Sequence, residues 1–171
     1  MTIAPFRRAL LIGALAYAAL VPPAQATLAQ PEGPVILSIT GKVEVRNQGD
    51  QAAFDLEMIE KLPQRSFTTQ TPWDKKPTKF TGPLLRDVLA AAKARGQTIT
   101  AMALNDYKIT IPMDDAIRFD VLLAHRINDE PIPVRTKGPL FIIYPFDAKP
   151  ELKTARYYER SVWQLRSLTI D

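Results

Sequence analysis

One stretch, residues 66–89, constrains the fold more than any other part of this chain. It reads SFTTQTPWDKKPTKFTGPLLRDVL. The pattern predicts a strand over residues 66–71, a loop that carries Trp73, a short strand over residues 78–80 and then a helix. Pro72 ends the first strand because proline cannot donate to a sheet ladder. Any fold for this chain must therefore place an aromatic loop between two strands and a helix.

The helix at the end of this stretch carries its own start and stop signals. Thr81 is the expected N-cap, and Pro83 lies near the first helical position, where a missing N–H costs little. The helix is expected to run to about Arg95, with Gly96 after its end. Its apolar residues fall on one face, which predicts packing against a sheet. They are Leu84, Leu85, Val88 and Leu89.

The rest of the chain alternates strands with turns and gives few helical signals. The predicted strands cover residues 35–40, 42–46, 98–104, 107–111, 120–127, 140–144 and 162–170. A hairpin turn is expected at Asn105 and Asp106, a helical turn at Asp114 and Asp115, and a short helix within residues 54–62. Residues 140–144 form the most apolar strand, expected at the centre of the sheet, and Trp163 is expected in the core. This order predicts an α+β fold with a mixed sheet.

Composition limits the function classes. The chain has 171 residues, no cysteine and one histidine, His125. One histidine without cysteine argues against a metal site. The net charge of +4 includes Arg7 and Arg8 and is too small to predict nucleic-acid binding. The length suggests one domain, residues 27–171.

Residues 1–26 have the pattern of a secretory signal peptide. Arg7 and Arg8 precede an apolar run over residues 9–21, which is short for a membrane span. Ala24 and Ala26 form a small-x-small cleavage site, so the mature chain is expected to start at Thr27 in the periplasm. The alternative is an uncleaved membrane anchor.

Five motifs follow one another along the chain. They are the strand, aromatic loop and helix of residues 66–89, then Asn105-Asp106-Tyr107, residues 121–134, residues 137–145 and residues 161–165. In this order they resemble the sulfite oxidase-type molybdopterin-binding domain family, over residues 35–171. The resemblance implies a mixed, barrel-like β-sheet with one main helix and short helical turns. It also implies a molybdopterin cofactor.

Three positions depart from that family's pattern. Thr69 stands where the family has a cysteine whose thiolate binds molybdenum. Phe141 occupies the place of an arginine that contacts the cofactor, and Val162 or Gln164 that of a phosphate-contacting lysine. Molybdopterin needs a soft metal ligand and cations for its phosphate. We therefore expect the fold to be retained without the metal chemistry.

The chain is more similar to a smaller group within this fold. These exported, cysteine-less domains bind a pterin without metal and regulate a membrane-bound cyclic-dinucleotide enzyme through its periplasmic part. The Thr-Thr-x-Thr-Pro-Trp run of residues 68–73 and Asn105-Asp106-Tyr107 carry this similarity. It implies a non-catalytic ligand sensor whose partner is a membrane signalling protein.

A pterin is a flat bicycle that needs an aromatic face, a carboxylate for its N–H donors and a donor for its carbonyl. Trp73 offers the face, and Asp74 and Asp106 are the loop carboxylates expected near it. No catalytic residue and no metal ligand is predicted. The candidate ligand-binding residues are Trp73, Thr69, Thr71, Asn105, Asp106, Arg135, Lys137 and Arg160.

Each candidate also has a purely structural interpretation. Trp73 can cover the sheet, Asp106 can be an ordinary hairpin residue, and Arg135 and Lys137 can lie on a solvated loop. Tyr157 and Tyr158 are expected to pack the last loop onto the sheet. Three functions remain open: a periplasmic pterin sensor, a molybdopterin-dependent oxidoreductase or its accessory subunit, and an interaction module without a ligand.

Overall fold

A computed structural model describes residues 28–171, so the predicted signal peptide of residues 1–26 lies outside the described residues. In the described part the strands are β1 (Leu37–Gly41), β2 (Ala52–Phe54), β3 (Gln64–Thr69), β4 (Thr78–Pro83), β5 (Thr98–Ala103), β6 (Lys108–Pro112), β7 (Leu122–Ala124), β8 (Arg126–Ile127), β9 (Glu130–Pro131), β10 (Phe141–Ile143) and β11 (Leu165–Ile170). The helices are α1 (Leu56–Lys61), α2 (Leu85–Ala91), α3 (Met113–Arg118) and α4 (Ala155–Glu159), with a 3₁₀ turn at Pro150–Leu152.

The largest sheet has the strand order β2-β1-β11-β5-β6. Its centre is β11, the last strand of the chain, which pairs in parallel with β1 and antiparallel with β5. Alternate residues face the core, as a strand with one buried face requires: Ile39 and its partner Leu168 are both fully buried. The mixed sheet is thus confirmed, and it depends on the final residues of the chain.

Two smaller antiparallel sheets complete the fold, with strand orders β3-β4-β8-β9 and β10-β7. They pack closely where β4 meets β7. A Cβ added at Gly82 would lie 2.1 Å from the backbone oxygen of Leu123, so only glycine permits this contact. The α+β class is confirmed, but the sheets of residues 28–171 do not close into a barrel.

The start of α2 differs from the sequence prediction. Thr81 and Pro83 belong to β4, which pairs along its length with β3, and Leu84 precedes the helix without a side-chain cap. Strand pairing therefore overrides the local capping signal. The helix also ends earlier than expected, at Ala91. It has seven residues, only one more than α1, so it does not stand out as the one main helix. Gly96 is instead needed for close packing, since an added Cβ would lie 2.4 Å from the Asp171 backbone oxygen.

Two strand predictions also need correction. Residues 42–46 make one isolated bridge, between Val43 and Ala94, instead of a strand. The apolar strand β10 is fully buried, as expected, but it pairs only with β7 and is not central. Its hydrophobicity reflects burial by packed side chains on both faces, which also occurs in a two-stranded sheet.

The described residues share one hydrophobic core formed by all three sheets, α2 and the loop that follows β10. Among its largest fully buried side chains are Phe54, Phe80, Phe141, Tyr144 and Phe146. Since the chain has no cysteine, this core carries the stability without disulfides. No helix within residues 28–171 is long and apolar enough to cross a membrane.

Candidate functional site

A cavity of about 340 Å³ opens where the loop after β3 meets α4 and the segment before β11. We call it the aromatic slot. Its lining is mainly apolar and includes four aromatic side chains, an arrangement typical of small-molecule sites. The lining residues are Trp73, Asn105, Tyr107, Tyr158, Glu159, Ser161, Val162 and Trp163.

The turn that positions Trp73 is fixed by its two neighbours in the loop. The Thr71 hydroxyl donates to the Asp74 carboxylate at 2.8 Å, and the Asp74 N–H donates to the same hydroxyl at 3.1 Å. Asp74 also forms an ion pair with Lys137 at 2.7 Å. Thr71 is buried, so its hydrogen-bonding capacity is used within the protein. Thr71, Asp74 and Lys137 therefore hold the loop that presents the indole.

Trp73 is half-buried and joins a cluster of aromatic rings. The ring centroids of Trp163, Tyr158 and Phe141 lie 5.8, 6.1 and 6.1 Å from that of Trp73. Edge-to-face contacts at such distances are favourable, so the rings hold one another in place. Trp163 was expected in the core, yet 38% of its surface is exposed. It forms a wall of the slot instead.

Helix α4 contributes Tyr158 and Glu159 to the lining of the slot. The Tyr107 hydroxyl donates to the backbone oxygen of Glu159 at 3.0 Å and joins this helix to the β5–β6 hairpin. Burial, with a smaller contribution from the negative charge of Glu159, raises the pKa of Tyr107 above its ordinary value. The Glu159 carboxylate has no hydrogen bond or ion pair to any residue within 28–171.

The sequence prediction missed Tyr107, Tyr158 and Glu159 as slot residues. Tyr158 was expected only to pack the last loop onto the sheet, and Glu159 had no distinguishing signal. Residues 155–159 form a helix too short to show periodicity. Only the approach of this helix to the β5–β6 hairpin reveals that the three side chains share one cavity with Trp73.

Arg160, a predicted ligand contact, is mostly buried and binds another residue of the protein. It forms an ion pair with Asp115 at 2.8 Å, in which the two side chains are 17% and 7% exposed. The Tyr144 hydroxyl donates to the same carboxylate oxygen at 2.9 Å. Burial and the adjacent Asp115 charge raise the pKa of Tyr144, which therefore stays protonated as a donor. The group anchors the end of α4 to α3.

The structure separates the remaining predicted residues. Asn105 lines the slot, and its side-chain oxygen accepts from the Tyr107 N–H at 3.2 Å. Asp106 belongs to the same hairpin turn, with φ of 63°, but its carboxylate pairs with Arg166 at 2.9 Å and does not line the slot. Arg135 is exposed and also lies outside the lining.

Thr69 and Lys137 do not line the slot. Thr69 is buried, and its hydroxyl accepts from the Asp147 N–H at 3.0 Å. The Lys137 ammonium lies 5.9 Å from the centroid of the Trp73 ring, within range of a cation–π contact. Lys137 therefore contacts a slot residue, whereas Thr69 bonds to the loop after β10, and neither residue lines the slot.

One donor at the slot lacks a partner. The Trp73 indole nitrogen, Nε1, is buried and has no acceptor within residues 28–171. Leaving such a donor unpaired costs about 1–3 kcal/mol. An acceptor supplied by a ligand would remove this cost.

The comparison with known families identifies the fold. A family model described as the oxidoreductase molybdopterin binding domain matches residues 37–147, which is well over half of the chain. The chain belongs to this molybdopterin-binding domain family. The resemblance read from the sequence motifs is thereby confirmed, and the family indicates a pterin-type ligand. Comparison with curated proteins gave no match.

The residues of this family member do not fit a molybdenum centre bound through a protein thiolate. The whole chain contains no cysteine, and Thr69 uses its hydroxyl to bind Asp147. Among residues 28–171, no group of three or more histidine, cysteine or carboxylate side chains is arranged to hold a metal. The aromatic side chains that line the slot fit the other part of the cofactor, the pterin ring.

Proposed function

We propose that this member of the molybdopterin-binding domain family is an exported, non-catalytic protein that binds a metal-free pterin in the aromatic slot. In this proposal the signal peptide delivers it to the periplasm, where it regulates the periplasmic part of a membrane-bound signalling enzyme. The observation that carries the ligand assignment is the aromatic lining of the slot around Trp73.

The positions at which the chain departs from the family pattern support this assignment. Phe141, in place of an arginine, packs 6.1 Å from Trp73 and 6.2 Å from Trp163. Val162, which with Gln164 is one of the two candidates for the family's phosphate-contacting lysine position, lines the slot. Uncharged side chains thus stand at the candidate positions of both cofactor-binding cations. This exchange favours a neutral aromatic ring over a phosphate-bearing cofactor.

The slot offers each kind of contact that a pterin needs. Trp73 and Trp163 provide aromatic surface, and stacking of a nucleobase on such a surface is worth ~1–3 kcal/mol. Glu159 provides a carboxylate for the N–H groups of the pyrimidine edge, and Asn105 a side-chain amide. The Trp73 N–H is buried without an acceptor among residues 28–171, so it is the one donor of the indole that a ligand acceptor could satisfy.

The alternative function is a molybdopterin-dependent oxidoreductase or its accessory subunit, which the family match itself favours. Molybdenum analysis of protein purified from its native compartment separates the two. We expect no stoichiometric molybdenum, because the chain provides no thiolate for the metal. About one molybdenum per chain would refute the metal-free assignment and favour the enzyme.

Quenching of pterin fluorescence tests the slot directly. Trp73→Ala should weaken binding by one to two decades, since ~1.4 kcal/mol corresponds to a factor of ten. Because Trp73 also supports the aromatic cluster, Trp73→Phe should be measured in parallel, with circular dichroism to confirm folding. Phe67→Leu is the matched control, a half-buried aromatic side chain outside the slot.

The outcome distinguishes the remaining possibilities. If folded Trp73 variants bind pterin as tightly as the parent, the slot is not the binding site. If the parent binds no pterin, the protein is better explained as an interaction module without a ligand.

A further inference from the structure

We infer that the aromatic slot selects pterins without a negatively charged substituent, and that Glu159 determines this selectivity. The inference rests on the proposed pterin binding and adds the charge class of the ligand. It concerns a residue that was not among the sequence-predicted contacts.

The charged groups of the slot are unbalanced. Its lining contains one carboxylate, that of Glu159, and neither lysine nor arginine. An anionic substituent in the slot would therefore meet a like charge without a cation to offset it. Glu159 is exposed, so this repulsion acts in the presence of water and is screened by salt.

Two cations that adjoin slot residues, Arg160 and Lys137, are paired with carboxylates. Arg160 follows Glu159 in the chain, but its guanidinium turns to Asp115 at 2.8 Å. Lys137 approaches the Trp73 ring but pairs with Asp74 at 2.7 Å. Arg156, on the same helix as Glu159, is exposed and does not line the slot.

Glu159 itself is available for a ligand. Its carboxylate has no partner within residues 28–171, although it lies close enough to the Tyr107 phenol to influence it electrostatically. The pyrimidine edge of a pterin presents adjacent N–H donors, and a carboxylate can accept two of them side by side. The charge that attracts this edge also repels a carboxylate or phosphate elsewhere on the ligand.

Two fluorescent probes test the selectivity: methylpterin and carboxypterin, which carry a methyl or a carboxylate group on the same ring carbon. We expect the parent to bind carboxypterin at least ~10-fold more weakly than methylpterin, a difference of ~1.4 kcal/mol. Glu159→Gln should weaken methylpterin binding. It should also reduce the ratio of the two dissociation constants, carboxypterin over methylpterin, to within about threefold, since the amide keeps the shape of the side chain and loses its charge. Glu159→Lys should reverse the preference.

Glu151→Gln is the matched control. It removes an exposed carboxylate from the 3₁₀ turn, outside the slot, and should leave the ratio unchanged. A second measurement uses the parent alone, so it does not depend on the folding of a variant. Raising the salt from ~0.01 M to ~1 M should shrink the ratio, because mobile ions screen a charge at the mouth of an open slot.

The experiment distinguishes failure of the selectivity inference from failure of the proposed pterin binding. If the parent binds both probes equally, or if the ratio survives in folded Glu159→Gln, the selectivity inference is wrong while pterin binding stands. If the parent binds neither probe, the proposed function and this inference both fail.

Discussion

The Thr69 hydroxyl accepts a hydrogen bond from the Asp147 N–H at 3.0 Å, and the Asp147 carboxylate accepts one from the Gln70 N–H at 2.7 Å. This reciprocal pair ties the end of β3 to the loop that follows β10. The motif resemblance places Thr69 at the position of the family's metal-binding cysteine. In this chain the side chain at that position joins two loops, which in turn support the aromatic slot.

The first prediction concerns this pair. Thr69→Val keeps the volume of the side chain but removes the acceptor for the Asp147 N–H. We expect a loss of about 0.5–1.5 kcal/mol in the free energy of unfolding, the net contribution of one part-buried hydrogen bond. Urea denaturation measures it. Thr68→Val, at the exposed neighbouring position, is the control and should change stability little. Equal stability of both variants would show that the hydrogen bond contributes nothing.

The second prediction concerns the buried ion pair of Asp115 and Arg160. Arg160→Met leaves the Asp115 charge in the interior with only the Tyr144 hydroxyl as partner. Breaking such a pair costs roughly 3 kcal/mol, because the remaining charge is desolvated without compensation. The double variant Asp115→Asn/Arg160→Met should lose less than Arg160→Met alone.

Arg156→Met, an exposed position on the same helix, is the control for this prediction. The single variant Asp115→Asn completes a double-mutant cycle with the parent, Arg160→Met and the double variant. Unfolding of these four proteins in urea isolates the coupling between the two residues. A double variant that is no more stable than Arg160→Met would contradict a charge-based explanation.

The third prediction is a dependence of stability on pH from Asp55. Its carboxylate caps α1 by accepting from the Met58 N–H at 2.9 Å, and it accepts from the Glu32 and Gly33 N–H groups at 2.8 Å each. These backbone donors hold the pKa of Asp55 below its ordinary value of 3.8, and the Gly33 N–H has the largest effect. The Asp55 carboxyl therefore binds a proton more readily in the unfolded chain than in the folded protein. Its contribution to the free energy of unfolding is lost as the pH falls from 3.8 through the lower pKa of the folded state.

Asp55→Ala tests this dependence. Loss of the cap should destabilise the protein by about 1–2 kcal/mol near neutral pH. The difference between parent and variant should shrink as the pH falls below the ordinary value of 3.8. Thermal unfolding over a pH series measures both, and Asp50→Ala, an exposed carboxylate, is the control. A difference that stays constant down to strongly acidic pH would exclude a role for the ionised carboxylate.

The fourth prediction concerns export. N-terminal sequencing of protein recovered from the periplasm should begin at Thr27, after the Ala24-Gln25-Ala26 site. Ala26→Leu replaces the small residue before the cleavage point and should slow processing. Exported protein that retains Met1 would instead support an uncleaved anchor.

The sequence by itself determined the features that depend on local pattern or composition. Alternating residues placed β1, β5 and β11 in a sheet, and the motifs around Trp73 identified the family. The lack of cysteine, readable from the chain alone, removed the thiolate ligand. Periodicity also gave the apolar face of α2. It did not give the start of the helix. Thr81, the predicted N-cap, pairs with Ser66 as part of β4, so the helix begins later.

Tertiary structure alone decided which charged residues remain free for a ligand. Arg160 is taken by Asp115, 45 positions earlier, and Asp106 by Arg166, 60 positions later. Glu159, with no signal in the sequence, lines the slot without a partner in the described chain. Ion pairing depends on distances between side chains that only the packed fold brings together. The residue types near a site can therefore be predicted from sequence, whereas their availability follows from the fold.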